Sequence, residues 1–321
     1  MTLGILLVGG RGTRLSPITS EIPKPMLPIA GKPVTEHQIS AAKQAGVTTL
    51  VLATSYLSEI FTPYFGDGSK WGIDLRYAVE KEPLGTGGAI ANAASLFDAG
   101  PANEPVVIFN GDVLSKHNLS AQIAFHQEKS ADVTLHLIEV DDARAFGCVP
   151  TSEDGQVEAF LEKMDNPVTR WINAGCYVFT RSVINSIPRD TVISVERETF
   201  PSLIEKKSRI FGYKEAAYWL DIGTPAALFK GSSDYVDGSS FIAPDAEVDA
   251  SAEISHGSAI GSAVKVGAAS IIKNSIICEG AHIGAGVKVE RSFIAPGAHL
   301  SDGAEISERY ISTSENLPIN F

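Results

Sequence analysis

Cysteine, positive charge and long apolar runs are all scarce in this chain of 321 residues. The three cysteines, Cys148, Cys176 and Cys278, lie far apart without a Cys-x-x-Cys pair, which indicates neither a disulfide framework nor a thiolate zinc site. No uninterrupted apolar run is long enough to cross a bilayer, and no basic stretch precedes the first apolar run as in a signal peptide. We therefore expect a cytoplasmic protein that has no membrane partner.

The charge balance excludes another class of partner. Lys and Arg number 26 against 38 Asp and Glu, so the formal net charge is -12. Nonspecific binding to nucleic acid depends on Lys and Arg at the phosphates, and we therefore expect no nucleic-acid partner. A small anionic substrate stays possible where a few cations converge. The candidates are single residues inside motifs, namely Arg11, Arg14, Lys24 and Lys163.

A glycine-rich, cationic segment follows the first apolar run. Residues 5–28 read ILLVGGRGTRLSPITSEIPKPMLP, the order expected of a strand that leads into a flexible loop around a polyphosphate. Neither common phosphate loop fits the spacing. A P-loop needs Gly-Lys-Ser or Gly-Lys-Thr, and the sequence contains neither. A dinucleotide fingerprint needs a third glycine where Leu15 stands and an acidic residue after the second strand, which runs into Thr54 instead.

Up to residue 238, short β-rich runs alternate with helical spacing. This pattern predicts a Rossmann-like α/β domain, with a mostly parallel sheet and helices on both faces. The predicted strands are residues 4–8, 49–53, 75–79, 106–110, 133–140 and 176–180. Helical spacing recurs at Leu57, Ile60, Phe61 and Tyr64, and at Ile39, Ala42 and Ala45. Ligands of such sheets bind beyond the carboxyl ends of the strands, so we expect the loops after Val8 and Val79 and the Gly111-Asp112 pair at the site.

From residue 239 onwards the pattern becomes a six-residue repeat. Apolar residues recur with two slips at Ile242, Val248, Ile254, Ile260, Val266, Ile271, Ile277, Ile283, Val289, Ile294, Leu300 and Ile306. This repeat predicts a parallel β-helix of three to four coils over residues 239–311, wound left-handed as is general for the repeat, and a tail at 312–321. So few coils leave exposed ends, which favours a homo-oligomer formed through the β-helix.

Several further motifs complete a resemblance that covers nearly all of residues 1–311. The motifs are Gly9-Gly10-x-Gly12-Thr13-Arg14, Pro23-Lys24-Pro25, Glu82-Pro83-Leu84-Gly85-Thr86-Gly87, Phe109-Asn110-Gly111-Asp112-Val113, Asn173-Ala174-Gly175 and Trp219-Leu220-Asp221-Ile222-Gly223-Thr224. With them the chain resembles the sugar-phosphate nucleotidylyltransferases. Within that family it looks most like the mannose-1-phosphate guanylyltransferases that carry a C-terminal left-handed β-helix. The resemblance implies a nucleotidyltransferase domain at residues 1–238 followed by that β-helix.

The resemblance also implies a reaction. Members of the family join a sugar 1-phosphate to a nucleoside triphosphate by in-line attack on the α-phosphorus, and pyrophosphate leaves. The implied catalytic residues are Arg14 on the leaving pyrophosphate, Lys24 near the α-phosphate, and Asp112. Asp112 and Asp221 are the implied ligands of Mg²⁺, which takes one or two carboxylates and completes its shell with phosphate oxygens and water.

The nucleotide-binding residues implied by the resemblance lie in three segments of the chain. They are Leu7, Gly9, Gly10, Gly12, Thr13, Glu80, Pro83, Gly85, Thr86 and Gly111. A carboxylate at Glu80 accepts both adjacent donors of guanine, whereas uracil and thymine offer one donor flanked by carbonyls. Glu82 is a rival for this role. Because a carboxylate at Glu80 can accept both donors of guanine, the base assignment favours GTP.

The implied residues of the sugar-phosphate pocket are Gly147, Glu162, Lys163, Asn173 and Gly175. In this assignment Glu162 accepts hydrogen bonds from sugar hydroxyls and Lys163 meets the phosphate. The leading hypothesis is an enzyme that makes GDP-mannose. The alternatives are a glucose-1-phosphate uridylyl- or thymidylyltransferase and a non-catalytic regulatory subunit that binds a nucleotide sugar. Residues 194–200 are interpreted as a helix start and domain packing without a chemical role.

Overall fold

A computed structural model of the chain describes residues 2–10, 12–55 and 58–321. Arg11, one of the candidate phosphate cations, and Leu57 of the predicted helical spacing lie outside the described residues. By the density of its contacts the chain divides into two compact units. We call residues Met1–Gly10 and His37–Trp219 the sheet unit, and residues Arg11–Glu36 and Leu220–Phe321 the coil unit.

The first 240 residues form eleven strands and seven α-helices in the described part of the chain. The strands are β1 (Thr2–Leu7), β2 (Pro28–Ile29), β3 (Lys32–Pro33), β4 (Val47–Thr54), β5 (Asp74–Val79), β6 (Pro105–Asn110), β7 (Val113–Ser115), β8 (Val133–Glu139), β9 (Trp171–Thr180), β10 (Ile210–Lys214) and β11 (Trp219–Asp221). The helices are α1 (Val34–Gln44), α2 (Phe61–Phe65), α3 (Gly85–Ala94), α4 (Leu119–Glu128), α5 (Arg181–Asn185), α6 (Phe200–Glu205) and α7 (Pro225–Asp234).

Seven strands of the sheet unit form one mixed sheet in the order β10-β8-β9-β6-β1-β4-β5. The pairs β6/β1, β1/β4, β4/β5 and β10/β8 are parallel, and β9 runs antiparallel to both of its neighbours. Fully buried residues such as Ile5, Val51 and Ile108 fill the core. They belong to continuous apolar runs, which are typical of strands that are covered on both faces. The predicted α/β fold class is confirmed.

The parallel pairing places the carboxyl ends of four neighbouring strands along one edge of the sheet. β1 ends at Leu7, β4 at Thr54, β5 at Val79 and β6 at Asn110, and the four are consecutive in the sheet. The residue that follows each end therefore enters the same crevice, which is where an open α/β sheet binds its ligand.

Fourteen further strands follow residue 240 in the coil unit. They are β12 (Phe241–Ile242), β13 (Glu247–Val248), β14 (Glu253–Ser255), β15 (Ala259–Ile260), β16 (Lys265–Val266), β17 (Ile271–Lys273), β18 (Ile276–Ile277), β19 (His282–Ile283), β20 (Lys288–Glu290), β21 (Phe293–Ile294), β22 (His299–Leu300), β23 (Glu305–Ser307), β24 (Arg309–Ile311) and β25 (Asn316–Pro318). From β12 to β24 each strand pairs in parallel with the third strand along, forming three ladders. This connectivity is that of a β-helix with three strands in each coil.

The hexapeptide phase predicted between Val266 and Ile277 is wrong by one residue. Ile272 is fully buried in the core of the coils, whereas Ile271, predicted as the inward residue, is half-buried and lies beside it on β17. The slip of the repeat therefore falls after Ile272 and not before it. Within residues 312–321, β25 pairs antiparallel with β24.

A glycine at the tip of the β2–β3 hairpin provides a test of packing within the coil unit. Gly31 has φ +79°, and a Cβ at this position would overlap the ring of Phe241. We expect Gly31→Ala to lower the free energy of unfolding by about 2–4 kcal/mol, because the left-handed backbone and the overpacking each contribute. Urea denaturation followed by circular dichroism measures the change.

Gly297→Ala is the matched control for this substitution. Gly297 has φ +68° in the same unit, but a Cβ there would meet nothing within 4 Å. Only the backbone cost of about 1–2 kcal/mol remains. Equal losses in the two variants would contradict a packing role for Gly31.

Cys148, Cys176 and Cys278 are all buried free thiols. Burial raises the pKa values of Cys176 and Cys278 above the ordinary range, which suppresses the reactive thiolate. Among the described residues, no helix combines the length and the apolar character that crossing a membrane would require.

Candidate functional site

Two strand ends meet at the centre of the crevice in the sheet unit. The N–H of Gly111 donates to the carbonyl of Leu7 at 2.9 Å, which joins the residue after β6 to the end of β1. A Cβ at Gly111 would overlap this carbonyl, so only glycine fits the close approach. The half-buried Asp112 follows directly. Its position beyond a strand end is therefore fixed by backbone contacts of its neighbour.

The turn that carries Asp112 has a second support. Gln38 on α1 is buried, and its Nε2 donates to the carbonyls of Asn110 at 2.7 Å and Val113 at 2.9 Å. One side chain thus holds both sides of the Gly111-Asp112 pair.

The glycines after β1 stand at the neighbouring strand end. The hydroxyl of Ser55, directly after β4, donates to the carbonyl of Gly9 at 2.7 Å. A Cβ at Gly9 would lie 2.7 Å from the same hydroxyl oxygen, whereas Gly10 is exposed and open. This part of the glycine cluster keeps backbone accessible at the crevice, as a phosphate-binding loop requires.

Glu80 follows β5 and has two carboxylate oxygens in different situations. Oε2 accepts the N–H of Leu84 at 3.3 Å, whereas Oε1 is buried without a hydrogen-bond partner in the described structure. Burial raises the pKa of the Glu80 carboxyl, opposed by the Leu84 hydrogen bond. An unpartnered buried acceptor is costly, so it is a place where a ligand donor gains most.

The turn after Glu80 contains the other predicted base-binding residues. Pro83 and Gly85 are exposed, and Gly85 has φ +69° at the start of α3. Thr86 is half-buried and its hydroxyl donates to Glu196 Oε2 at 2.7 Å. The predicted site residues at 80–86 are therefore brought together, and Thr86 is joined to a residue that the sequence did not indicate.

Three segments that carry the predicted sugar-binding residues meet at a buried cysteine. Cys148 forms antiparallel bridges with Leu161 and with Ile172. These bridges bring the neighbouring residues of all three segments together, and the Asn173 N–H donates to the Gly147 carbonyl at 2.9 Å. The backbone thus brings Gly147, Glu162 and Asn173 close to one another.

The next residues of this group remain accessible to a ligand. Glu162 is half-buried and Lys163 is exposed. No ion pair between them is found in the described part of the chain, so the arrangement is not that of a surface salt bridge.

A buried tyrosine orients the amide of Asn173. Asn173 Nδ2 donates to the Tyr177 hydroxyl at 2.7 Å, and Asn173 Oδ1 accepts the Gly175 N–H at 3.1 Å. Gly175 has φ +72°, and a Cβ there would lie 3.0 Å from Asn110 Nδ2. Burial raises the pKa of Tyr177 well above its usual range, opposed by hydrogen bonding with the Asn173 and Asn110 side chains. Tyr177 therefore stays a neutral hydroxyl that links two polar side chains.

The remaining predicted residues form a cluster in the coil unit. Lys24 Nζ lies 3.7 Å from Asp221 Oδ1, and Lys24 is 7% exposed. A Cβ at Gly223 would lie 2.9 Å from Arg14 Nη2 and 3.2 Å from Asp221 Oδ1, so Arg14 is adjacent to the same carboxylate. Two cations and one carboxylate thus stand together.

The glycine of the signature shapes this cluster. Gly12 has φ +64° and caps a short 3₁₀ helix, Thr13–Leu15, that carries the exposed Arg14. A Cβ at Gly12 would lie 2.9 Å from the Cβ of Lys24. The Thr19 hydroxyl donates to the Gly12 carbonyl at 3.0 Å and holds the turn. A larger residue at position 12 would displace Lys24.

The described residues contain no group of three or more His, Cys, Asp or Glu side chains that could hold a metal ion. A site made by protein ligands alone is therefore absent from this part of the chain. Asp112 in the sheet unit and Asp221 in the coil unit each supply a carboxylate, a donor that Mg²⁺ uses when phosphate oxygens and water complete its shell. This donor chemistry fits a divalent metal ion that is bound together with a phosphate substrate.

Sequence reasoning missed the residues that hold the predicted ones. Gln38, Ser55, Tyr177 and Glu196 each hydrogen-bond a predicted residue or its turn. Only Glu196 lay in a segment already singled out, residues 194–200, and that segment was given a packing role.

Comparisons with known proteins identify both parts of the chain. Residues 3–238 match the family model described as Nucleotidyl transferase, and residues 236–316 match the model described as GMPPB C-terminal domain. The mannose-1-phosphate guanylyltransferase of Mycobacterium tuberculosis is 44% identical over 292 residues, which are 86% of this chain and 79% of the relative. The probable mannose-1-phosphate guanylyltransferase 3 of Oryza sativa subsp. japonica is 34% identical over 285 residues, 85% of this chain and 78% of the relative.

A solved structure supports the same assignment. The crystal structure of HddC from Yersinia pseudotuberculosis complexed with GMP-PN matches with a TM-score of 0.62 at 28% identity, covering 73% of this chain and 100% of that chain. The family model spans more than half of this chain, and the relatives are similar over most of their length. The chain therefore belongs to the nucleotidyl transferase family, among the mannose-1-phosphate guanylyltransferases.

Proposed function

We propose that this chain transfers a guanylyl group from GTP to mannose 1-phosphate, forming GDP-mannose and pyrophosphate. The relatives named as mannose-1-phosphate guanylyltransferases support the reaction and the sugar. The structure of HddC with GMP-PN supports a guanine nucleotide. Within the chain itself, the observation that carries the base assignment is the half-satisfied carboxylate of Glu80.

Glu80 suits guanine better than a pyrimidine base. Guanine presents N1–H and an exocyclic amine side by side, and a carboxylate accepts from both. The Leu84 N–H donates to one oxygen of Glu80, and the other oxygen has no hydrogen-bond partner in the described structure. Uracil or thymine would bring carbonyl oxygens against the same carboxylate, which is repulsive. Discrimination against uracil and thymine therefore follows from a carboxylate that accepts from the two adjacent donors of guanine.

The chemical step needs positioning and positive charge. An oxygen of the sugar phosphate attacks the α-phosphorus of GTP, and the bond to the pyrophosphate oxygen breaks, so the nucleophile is already an anion and needs no base. Two polyanions must be brought together and the charge on the leaving group stabilised. Arg14 can grip two oxygens of the leaving pyrophosphate through its planar guanidinium. Lys24 supplies a localised charge at the α-phosphate.

Asp112 and Asp221 are the proposed ligands of Mg²⁺. When bound, the ion supplies Lewis-acid stabilisation of charge on phosphate oxygens. Asp112 is held for this role by the Gly111 and Gln38 contacts of its turn, and Asp221 is adjacent to Lys24. The two carboxylates thus contribute fixed negative charge, and Arg14 and Lys24 balance the phosphates.

The sugar phosphate is assigned to the group around Cys148. Asn173 is oriented by Tyr177 and Gly175, so its amide presents a fixed face to a hydroxyl. Glu162 accepts hydrogen bonds from sugar hydroxyls, and the exposed Lys163 meets the phosphate. Gly147 lets the sugar approach the backbone closely.

We place the reaction in the cytoplasm and assign a homo-oligomeric state to the protein. Three buried free thiols and nucleotide substrates support a reducing compartment. Among the described residues the ladders of the β-helix end in strands that have no further strand beside them, and such edges favour covering by a second copy. Sedimentation velocity of the purified chain measures the subunit number.

Pyrophosphate release tests the proposal. The purified protein with Mg²⁺ is assayed with GTP, UTP, dTTP, ATP and CTP against the 1-phosphates of mannose, glucose and galactose. The proposal predicts one strong signal, for GTP with mannose 1-phosphate. A stronger signal for glucose 1-phosphate with UTP or dTTP would replace it by the uridylyl- or thymidylyltransferase alternative. Silence from a folded protein that binds a nucleotide sugar would indicate a regulatory subunit.

Glu80→Gln tests the base assignment directly. The amide oxygen of glutamine accepts one guanine donor, but its NH₂ group opposes the other. We expect kcat/KM for GTP to fall by about 10- to 100-fold, the loss of one hydrogen bond to a charged group, while kcat/KM for UTP does not fall. Steady-state pyrophosphate release with each triphosphate measures the ratio.

Glu82→Gln is the control for Glu80→Gln. Glu82 lies in the same loop, is exposed, and is the other carboxylate that could read the base. We expect its replacement to leave the GTP preference within about twofold of wild type, since exposed charge contributes little. Loss of GTP preference in Glu82→Gln alone would transfer the assignment to Glu82.

A further inference from the structure

The turn that carries the predicted base-binding residues is tied to one remote segment of the sheet unit. The Ile193 N–H donates to the Leu84 carbonyl at 2.9 Å, and the Gly87 N–H donates to the Ile193 carbonyl at 2.8 Å. These backbone bonds join residues 84–87 to a segment more than a hundred residues away. The position of the turn therefore depends on that segment.

Close packing prevents the two segments from sliding. A Cβ at Gly85 would lie 2.6 Å from the Ile193 carbonyl oxygen, and a Cβ at Gly87 would lie 2.8 Å from Ile193 Cγ2. Glycine is required at both positions because the backbone of the turn rests directly on Ile193. The glycines of this motif thus serve contact with residue 193, in addition to any contact with a nucleotide.

A chain of side-chain hydrogen bonds completes the connection. The Val195 N–H donates to Thr86 Oγ1 at 2.8 Å, and Thr86 Oγ1 donates to Glu196 Oε2 at 2.7 Å. Ser194 Oγ donates to the same Glu196 oxygen at 3.0 Å. A hydroxyl has one proton, and that of Thr86 is given to Glu196. While this bond is present, the Thr86 hydroxyl cannot donate to an acceptor on the base. Its role is to hold the turn at residues 84–87 in place.

We propose that Glu196 is a positioning residue for the nucleotide base. Through Thr86 it holds the turn whose Leu84 N–H donates to Glu80 Oε2 at 3.3 Å, so the proposed base-binding carboxylate is positioned through a second carboxylate. Residues 194–200 thereby acquire a role in substrate recognition, beyond the packing role that the sequence predicted. This inference rests on the proposed function, since it takes Glu80 to read the base.

The test measures the KM for GTP and kcat separately in four variants and one control variant. In Glu196→Ala the Thr86 hydroxyl loses its acceptor, and we expect the KM for GTP to rise about tenfold, as for the loss of one charge-assisted hydrogen bond. The value of kcat and the KM for mannose 1-phosphate are expected to change by less than about twofold, because in the described part of the chain the Thr86 hydroxyl bonds Val195 and Glu196 and none of the proposed sugar residues. Glu196→Gln keeps an oxygen acceptor and should restore the KM to within about threefold of wild type.

Thr86→Val and the double variant test whether Glu196 acts through Thr86. Valine keeps the shape of threonine and removes the hydroxyl, so its KM for GTP should rise by a similar factor. If both residues belong to one connection, the KM for GTP of the double variant Thr86→Val/Glu196→Ala should not exceed that of the single variant with the higher KM. Multiplying losses would show that Glu196 acts by another route and would overturn the inference.

Glu198→Ala is the matched control in the same segment. Residues Val195–Thr199 form a short helical turn that begins after Ser194. Glu198 Oε1 accepts the Ser194 N–H at 2.9 Å, so this variant weakens the start of that helical turn and leaves the hydrogen bonds of Thr86 in place. We expect an unchanged KM for GTP, whatever happens to the melting temperature. An equal rise in the KM for GTP in Glu198→Ala and Glu196→Ala would mean that the stability of the helical turn at residues 195–199 explains the effect, and the inference would fail.

The outcomes distinguish this inference from the proposed function. If wild-type protein turns over UTP or dTTP in place of GTP, the guanine assignment fails. The positioning inference is then judged on the KM for that triphosphate. If no triphosphate is turned over, the same variants are compared by the Kd of GDP-mannose in calorimetry. An unchanged constant for Glu196→Ala in whichever assay applies overturns the inference. Should Glu196→Ala fail to fold, Thr86→Val and Glu196→Gln still give the comparison.

Discussion

Asp112→Asn is expected to lower kcat/KM for pyrophosphate release by about 10³-fold, because a ligand of the catalytic cation contributes several kcal/mol of charge stabilisation in the transition state. Asparagine has the same shape and keeps one oxygen, so the Gly111 and Gln38 contacts of the turn remain. Only the charge of the carboxylate is removed. Steady-state kinetics at rising Mg²⁺ measure the effect, and we expect a higher Mg²⁺ requirement together with the lower rate.

Asp98→Asn provides the control for this prediction. The Asp98 side chain is 89% exposed and pairs with Arg76 on the surface of the sheet unit, so we expect its rate and its Mg²⁺ requirement to match those of wild type. Melting temperatures of both variants exclude unfolding as the cause. An Asp112→Asn protein that keeps its rate and its Mg²⁺ requirement would remove Asp112 from the metal site and from the catalytic residues.

The sheet was predictable wherever its strands read as continuous apolar runs. The six predicted strands correspond to β1, β4, β5, β6, β8 and β9, although two of them, residues 4–8 and 133–140, were predicted one residue too long at the carboxyl end. β9 begins at Trp171, five residues earlier than predicted, because Asn173 and Gly175 read as a loop and Gly175 has φ +72° inside the strand. β10 was missed because its five residues, IFGYK, include a glycine and follow two lysines. Short edge strands depend on their partner more than on their own propensity.

The error in the β-helix has a specific cause. Ile271 and Ile272 are adjacent and equally apolar, so a period of six residues cannot choose between them. The ladder settles the choice, since Ile272 pairs with Val289 and Ile254, both inward residues, whereas Ile271 pairs with Lys288. A slip in a repeat is therefore located only when the neighbouring coils are known.

The candidate site was predictable from motifs, but its supports were not. Residues such as Gly9, Glu80 and Asn173 lie in short motifs with fixed spacing. For Gly9 and Thr86 the hydrogen-bond partners, Ser55 and Glu196, lie 46 and 110 residues away. Contacts over such separations leave no periodic signal in a single sequence, and the fold alone brings them together.

Lys24→Ala is expected to lower kcat by about 10²–10³-fold, the effect of removing a preorganised charge at a transition state that gains negative charge. Lys24 is 7% exposed, its backbone lies between Pro23 and Pro25, and its Nζ is 3.7 Å from Asp221 Oδ1. Lys24→Arg should not restore the rate, because Lys24 is only 7% exposed and a planar guanidinium does not replace the compact charge of an ammonium. Single-turnover pyrophosphate release separates the chemical step from binding.

Lys32→Ala is the control for Lys24→Ala, and the pair decides between catalysis and structure. Lys32 is in the same unit, its side chain is 56% exposed, and it pairs with Glu36, so its loss should leave kcat within about twofold of wild type. A purely structural Lys24 would exist to neutralise Asp221, and its removal would then lower the melting temperature while folded protein kept its kcat. A catalytic Lys24 gives the opposite result, a folded protein with an unchanged KM for GTP and a slow chemical step. The second result is expected, because the charge that Lys24 stabilises appears only when the α-phosphate reacts.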